Sequence, residues 1–218
     1  MKKWLCILCC VIPLLAFGQT YKMYSTQNYH NQLRLNTVTG EVQQIQDDGQ
    51  SWILNEAIEP STGNPGRFRL YETQNMWNFI LLDTYSGKTW QVQYSVEGTE
   101  YMFSVPINRY SLAYPWSDSV WTNRFQLFAT QNMWNFILLD SYRGRLWQVQ
   151  YSSNDLNALM CIPINEYDLV STGERSVFTI QPMTSMYQYY LINENTGEMW
   201  KFQWSTKGDD YRWIEKFK

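Results

Sequence analysis

TQNMWNFILLDTYSGKTWQVQYS, residues 73–95, is answered by TQNMWNFILLDSYRGRLWQVQYS at residues 130–152. The two stretches differ at four places only: Thr84/Ser141, Ser86/Arg143, Lys88/Arg145 and Thr89/Leu146. Each opens on an apolar run, Trp77-Asn78-Phe79-Ile80-Leu81-Leu82 in the first copy. Each closes on an alternating run, there Trp90-Gln91-Val92-Gln93-Tyr94. Short segments this rich in aromatic and aliphatic residues predict strands. Between them lie Asp83 and Gly87. The aspartate side chain can cap a turn, and the glycine supplies the positive φ of a hairpin turn with a bulge.

The same turn residues occur twice more. Gly40, Gly87, Gly144 and Gly197 each follow, by four residues, Asn36, Asp83, Asp140 and Asn193. A first strand is predicted upstream of each hairpin, beginning at Tyr21, Arg67, Arg124 and Val177, at spacings of 46, 57 and 53 residues. A fourth is predicted downstream, at Trp52-Ile53-Leu54, Tyr101–Val105, Leu159–Ile162 and Tyr211–Ile214. No stretch beyond residue 18 has helical periodicity, so the reading is all-β. A repeat of tens of residues dictates the architecture, and four four-stranded units predict a four-bladed β-propeller. The unbroken run Phe79–Leu82 fits a strand buried on both faces, as between stacked blades. A closed barrel or a pair of packed sheets is the alternative. The repeats, approximately 21–58, 67–108, 124–165 and 177–217, begin and end in phase with the chain. The first strand therefore does not complete the last blade, and no disulfide is available to close a ring.

The hairpin resembles a D-x-x-x-G-x-x-W pattern of propeller blades and of exported bacterial proteins. It stands here as Asp83…Gly87…Trp90, Asp140…Gly144…Trp147 and, with asparagine first, Asn193…Gly197…Trp200. The first repeat departs from it, with Gln43 where tryptophan is expected. The resemblance implies repeat architecture and carries no activity with it.

Lys2-Lys3 followed by the apolar stretch Trp4–Phe17 reads as a signal peptide, 1–18, cut after Gly18, leaving a single repeat domain at 19–218. The stretch is shorter than the ~20 residues of a membrane-spanning helix. The expected location is the periplasm or the exterior. Cys6, Cys9 and Cys10 leave with the signal, so Cys161 stands alone and reads as a small residue in a strand. Without Lys2 and Lys3, 15 basic residues face 20 acidic ones, a sign that argues against nucleic acid. Charged residues make up 17%, against ~25% in an average protein, and aromatics also 17%.

Catalytic and metal motifs are missing. His30, the one histidine, occupies the place held elsewhere by Trp77, Trp134 and Tyr187. One histidine and one thiol make a zinc site implausible, and no phosphate-binding loop or nucleophile elbow is present. An enzyme is left with carboxylates, and Asp118, Asp155, Glu166 and Asp168 have no spacing that distinguishes them. Asp83 and Asp140 align with asparagines, which points to turn capping. No cofactor is implied.

Two repeated features read as binding candidates. Six residues after each turn glycine stands a glutamine: Gln46, Gln93, Gln150 and Gln203. These amides either satisfy interior polar groups or line a channel or ligand face. Trp77, Trp134 and Tyr187, with Asn75 and Asn132 just before the tryptophans, pair aromatic faces with amides, a combination suited to sugars. Ordinary packing explains the aromatics equally. Trp116 and Trp121, in a proline-containing linker, are candidate contact residues. The functional expectation is an exported, non-enzymatic binding or interaction module whose ligand is a glycan or a partner protein. An envelope scaffold and a carboxylate-based glycoside hydrolase are the alternatives.

Overall fold

The structure, a computed structural model, describes residues 19–113, 123–171 and 176–217. In these residues sixteen strands form four antiparallel sheets of four, each built from consecutive strands. Blade 1 holds β1 (Tyr21–Ser25), β2 (Asn31–Asn36), β3 (Val42–Gln46) and β4 (Ser51–Asn55). Blade 2 holds β5 (Phe68–Glu72), β6 (Asn78–Asp83), β7 (Thr89–Gln93) and β8 (Phe103–Asn108). Blade 3 holds β9 (Phe125–Ala129), β10 (Asn135–Asp140), β11 (Arg145–Gln150) and β12 (Met160–Pro163). Blade 4 holds β13 (Phe178–Pro182), β14 (Gln188–Asn193), β15 (Met199–Gln203) and β16 (Trp213–Lys216). The fold is all-β with four propeller blades, as the repeats predict. The predicted signal segment, Trp116, Asp118 and Trp121 lie outside the described residues.

Strand alternation decides which side chain meets which blade. In β6, Phe79 and Leu81 join the core shared with blade 1, while Ile80 and Leu82 join the core shared with blade 3. In β10, Phe136 and Leu138 face blade 2, and Ile137 and Leu139 face blade 4. Every residue of β6 and β10 is buried. This is why Phe79–Leu82 and Phe136–Leu139 run apolar without a break rather than alternating. The end blades alternate instead, because each is covered on one face only.

Three devices recur at the junctions between blades 1 and 2, 2 and 3, and 3 and 4. First, the phenylalanine opening each new blade covers the turn glycine of the one before. A Cβ on Gly40, Gly87 or Gly144 would fall about 3 Å from a ring carbon of Phe68, Phe125 or Phe178. Those glycines hold φ of +80°, +73° and +71°, a region that bulky residues resist. Second, the Phe68, Phe125 and Phe178 N–H groups donate to the Thr37, Thr84 and Ser141 carbonyls at 2.8–2.9 Å.

The third device is an amide clasp. Gln44 Nε2 donates to Asn31 Oδ1 (2.7 Å) and to the Ser95 carbonyl of the next blade (2.8 Å), and Ser95 N–H returns a bond to Gln44 Oε1 (3.3 Å). Gln91 does the same with Asn78 and Ser152. Gln148 bonds Asn135 and accepts from Ser205. Each clasp leaves a buried amide satisfied, which keeps the interior polar groups from costing stability.

Among the described residues, no core cluster contains residues from both the first and the last blade. The fourth junction stands open among the described residues. Tyr21 and Met23 are 54% and 47% exposed, whereas their counterparts Phe68 and Leu70 are 0% and 5% exposed. At the other end Gly197, φ +74°, has nothing within 4 Å of its would-be Cβ.

Candidate functional site

The turn between the first two strands of a blade presents its aromatic residue. In blade 2, Thr73 Oγ1 donates to the carbonyls of Asn75 and Asn78, and Asn75 Oδ1 accepts from Trp77 N–H (3.0 Å) and Asn78 Nδ2 (3.0 Å). Blade 3 repeats this through Thr130, Asn132, Trp134 and Asn135. Blade 1 uses Thr26, Asn28, His30 and Asn31 in the same way. Blade 4 retains one part of it, a bond from Tyr187 N–H to Ser185 Oγ. Asn75 and Asn132, predicted to bind ligand, thus have their carbonyl oxygens committed to the turn; their Nδ2 groups retain donor capacity.

Beside each aromatic lies the predicted glutamine. Gln93, Gln150 and Gln203 donate to the Tyr101, Ala158 and Tyr211 carbonyls at 2.9–3.0 Å, within their own blades. They are half-buried, each at the last position of its strand. The residues that do cross between blades, Gln44, Gln91 and Gln148, stand two positions earlier. Gln91 and Gln148 are visible in the near-identical repeat, but Gln44 is flanked by Gln43 and Ile45 where they have tryptophan and valine, which hides it.

Aromatic and amide meet in three equivalent clefts open to solvent. Trp77, Gln93, Glu97 and Tyr101 border one of about 130 Å³. Asn132, Trp134, Gln150, Asn154 and Thr206 border a second of about 340 Å³. Asn28, His30, Gln46, Asp47 and Val96 border a third of about 320 Å³. Val96 and Thr206 belong to the following blade, so these two clefts straddle a junction. Trp77 and Trp134 are half-buried, their rings 5.3 and 5.2 Å from those of Tyr94 and Tyr151. Tyr187 holds the same position against Trp204 at 5.0 Å. Trp77 and Trp134 thus pack on a tyrosine while bordering a cleft. His30 bonds Asp47 through Nδ1 at 3.0 Å on the exposed surface.

The turn carboxylates hold structure together. Asp83 accepts two bonds from Arg67 and one each from Tyr85 N–H and Ser86 Oγ. Asp140 accepts from Arg124 and Tyr142 N–H. Asn36 and Asn193 accept backbone N–H bonds in the same turn. Asp155 caps the short 3-10 turn Leu156–Ala158, and Asp168 lies 3.9 Å from Arg143. Burial pushes the Cys161 thiol up to about 12, so it is a poor nucleophile. No group of three or more metal-ligating side chains occurs among the described residues. Sequence reasoning missed a further cleft of about 460 Å³ between β1 and β5, bordered by Lys22, Tyr24, Arg69 and Tyr71. Its residues come from two blades and form no contiguous motif. Burial raises the Tyr71 phenol.

No protein-family model matches the chain, and no curated protein matches it significantly. Solved structures do resemble it. A periplasmic gluconolactonase from Pseudomonas aeruginosa superposes with a TM-score of 0.48 at 12% identity, over 89% of this chain and 56% of that one. A streptogramin B lyase gives 0.46 at 10% identity, over 92% and 71%. An auxiliary nutrient binding protein from Bacteroides thetaiotaomicron gives 0.44 at 9%, over 92% and 42%. This chain spans about half the length of the first and third of these proteins. A gluconolactonase among the likenesses corrects the expectation of a non-enzyme. The exclusion of catalysis rested on contiguous motifs, and a site assembled from loops of several blades leaves none. No helix among the described residues is long and apolar enough to cross a membrane.

Proposed function

We propose that this protein binds carbohydrate at the blade-end clefts, one weak site per repeat. The observation that carries the reading is the recurrence of a half-exposed tryptophan beside a glutamine amide in the solvent-open clefts of blades 2 and 3. An aromatic face packs on the C–H face of a sugar, and an amide both donates and accepts hydrogen bonds. Gln93 and Gln150 each use one Nε2 hydrogen internally and have no other partner among the described residues. Their carbonyl oxygens are therefore available to hydroxyl donors. Linked weak sites gain through multivalency when the ligand spans them. Export fits this role, and the basic-then-apolar start ending in Ala16-Phe17-Gly18 supports it.

The test is binding of the purified protein to a broad glycan array, beside a Trp77→Ala/Trp134→Ala variant whose fold is checked by circular dichroism. Binding by the parent that the folded variant loses is expected. A parent that binds no glycan, or a variant that binds as well, overturns the proposal.

A further inference from the structure

The open junction has two unmatched halves. On blade 4 the exposed side carries Tyr190, Ile192, Met199, Lys201, Trp213 and Glu215. These positions match those that blades 1 to 3 turn toward their successors. On blade 1 the exposed side carries Tyr21, Met23, Gln32, Arg34, Gln43 and Ile45, matching positions turned toward a predecessor. We propose that a second copy of this chain fills the gap head to tail, blade 4 of each copy docking on blade 1 of the other. Two such contacts, made together, close a ring of eight blades. A heterologous contact of this kind closes when the rotation permits.

Three features of the open faces favour this occupant. Gly197 repeats the positive-φ turn of Gly40, Gly87 and Gly144, yet no described residue covers it. Tyr21 stands at the position of Phe68, Phe125 and Phe178, the rings that cover those glycines, and is exposed. The molecule thus shows both a vacant seat and an unseated ring of matching geometry. The charges are complementary as well. Where blades 1 to 3 place the clasp glutamine, blade 4 has Lys201, its Nζ 5.4 Å from the Trp213 ring centre. Where blades 2 to 4 receive the clasp at Ser95, Ser152 and Ser205, blade 1 offers the exposed turn Asp47-Asp48. A cation facing two carboxylates replaces an amide facing a backbone, a substitution that steers association. The contact also borders Tyr187 and Gln203, which stand where the other blades place their cleft aromatic and glutamine. The clefts of blades 1 and 3 use Val96 and Thr206 from the following blade; for Tyr187 and Gln203 the following blade is the second copy's blade 1.

Sedimentation equilibrium of the parent, Lys201→Glu and Tyr21→Ala, each first shown to be folded, tests this. The parent is expected at twice the chain mass at tens of micromolar. Lys201→Glu, and independently Tyr21→Ala, should weaken the pair at least tenfold, the former less at high salt. A parent that stays monomeric overturns the proposal and leaves these faces to solvent or to a different partner. A dimer indifferent to both substitutions overturns it too, since the contact then lies elsewhere. The measurement is independent of the glycan reading.

Discussion

At the scale of a residue, glycine is chosen here for two separable reasons. Gly87 and Gly66 both hold positive φ, +73° and +86°, but only Gly87 is covered: a Cβ there would sit 2.8 Å from two carbons of Phe125, while Gly66 has open space. Alanine at Gly66 should therefore cost only the left-handed backbone, about 1–2 kcal/mol. Alanine at Gly87 should add overpacking of about 1–3 kcal/mol. Urea unfolding of the two variants measures the difference. Equal losses would mean that Phe125 gives way and that the junction is not sterically keyed by glycine. Both reasons trace to one letter, but the sequence discloses only the turn. The second needs the next blade in place, some 38 residues downstream of Gly87.

At the scale of an element, each blade is a meander, and in blades 2 and 3 the central hairpin is tied to the first strand by a charged lock. Arg124, just before β9, reaches Asp140 at the end of β10 with Nε at 3.1 Å from both carboxylate oxygens and Nη2 at 2.6 Å from one. Both partners are buried. Removing one side of a buried pair leaves an uncompensated charge, so Arg124→Ala should destabilise by about 3–5 kcal/mol. Arg67 makes the equivalent lock to Asp83 but is more exposed and shared with Glu59, so Arg67→Ala should cost less. Chemical denaturation of both variants decides it; the reverse order would place the stabilisation outside the locks. The hairpins, strand count and turn chemistry were legible because alternation and turn residues act within a few positions. The locks were not, since Asp83 and Asp140 align with Asn36 and Asn193 and read simply as turn caps. In blade 4 Val177 stands at the arginine's position, and Ser176 just before it bonds Asn193 Oδ1 at 2.5 Å. The binding candidates divide in the same way. The repeat pointed to Trp77 and Gln93, but the cleft that joins them depends on the connecting loop with Glu97 and Tyr101, which the near-identical core does not include.

At the scale of the molecule, the core clusters of the described residues join only blades adjacent in the chain, so stability should be a sum of blade and junction terms, as in repeat proteins. The middle blades have two junctions and the end blades one. That difference is written in the strands: the positions that hold Phe79, Leu81 and Trp90 in blade 2 hold Gln32, Arg34 and Gln43 in blade 1. Arg34 Nη2 donates to Gln43 Oε1 at 2.6 Å, forming a polar layer across the outer face. Such a layer lets an end blade meet water, at the expense of the apolar burial that holds the middle blades. Local opening should follow the same gradient. Hydrogen exchange at submicromolar concentration, where separate chains prevail, should find β6 and β10 the slowest. Amides of β2 and β14 should exchange at least tenfold faster, because opening an end blade breaks one junction while opening a middle blade breaks two. Equal protection in β2 and β6 would make the chain a single cooperative unit, and the additive account of its blades would fail.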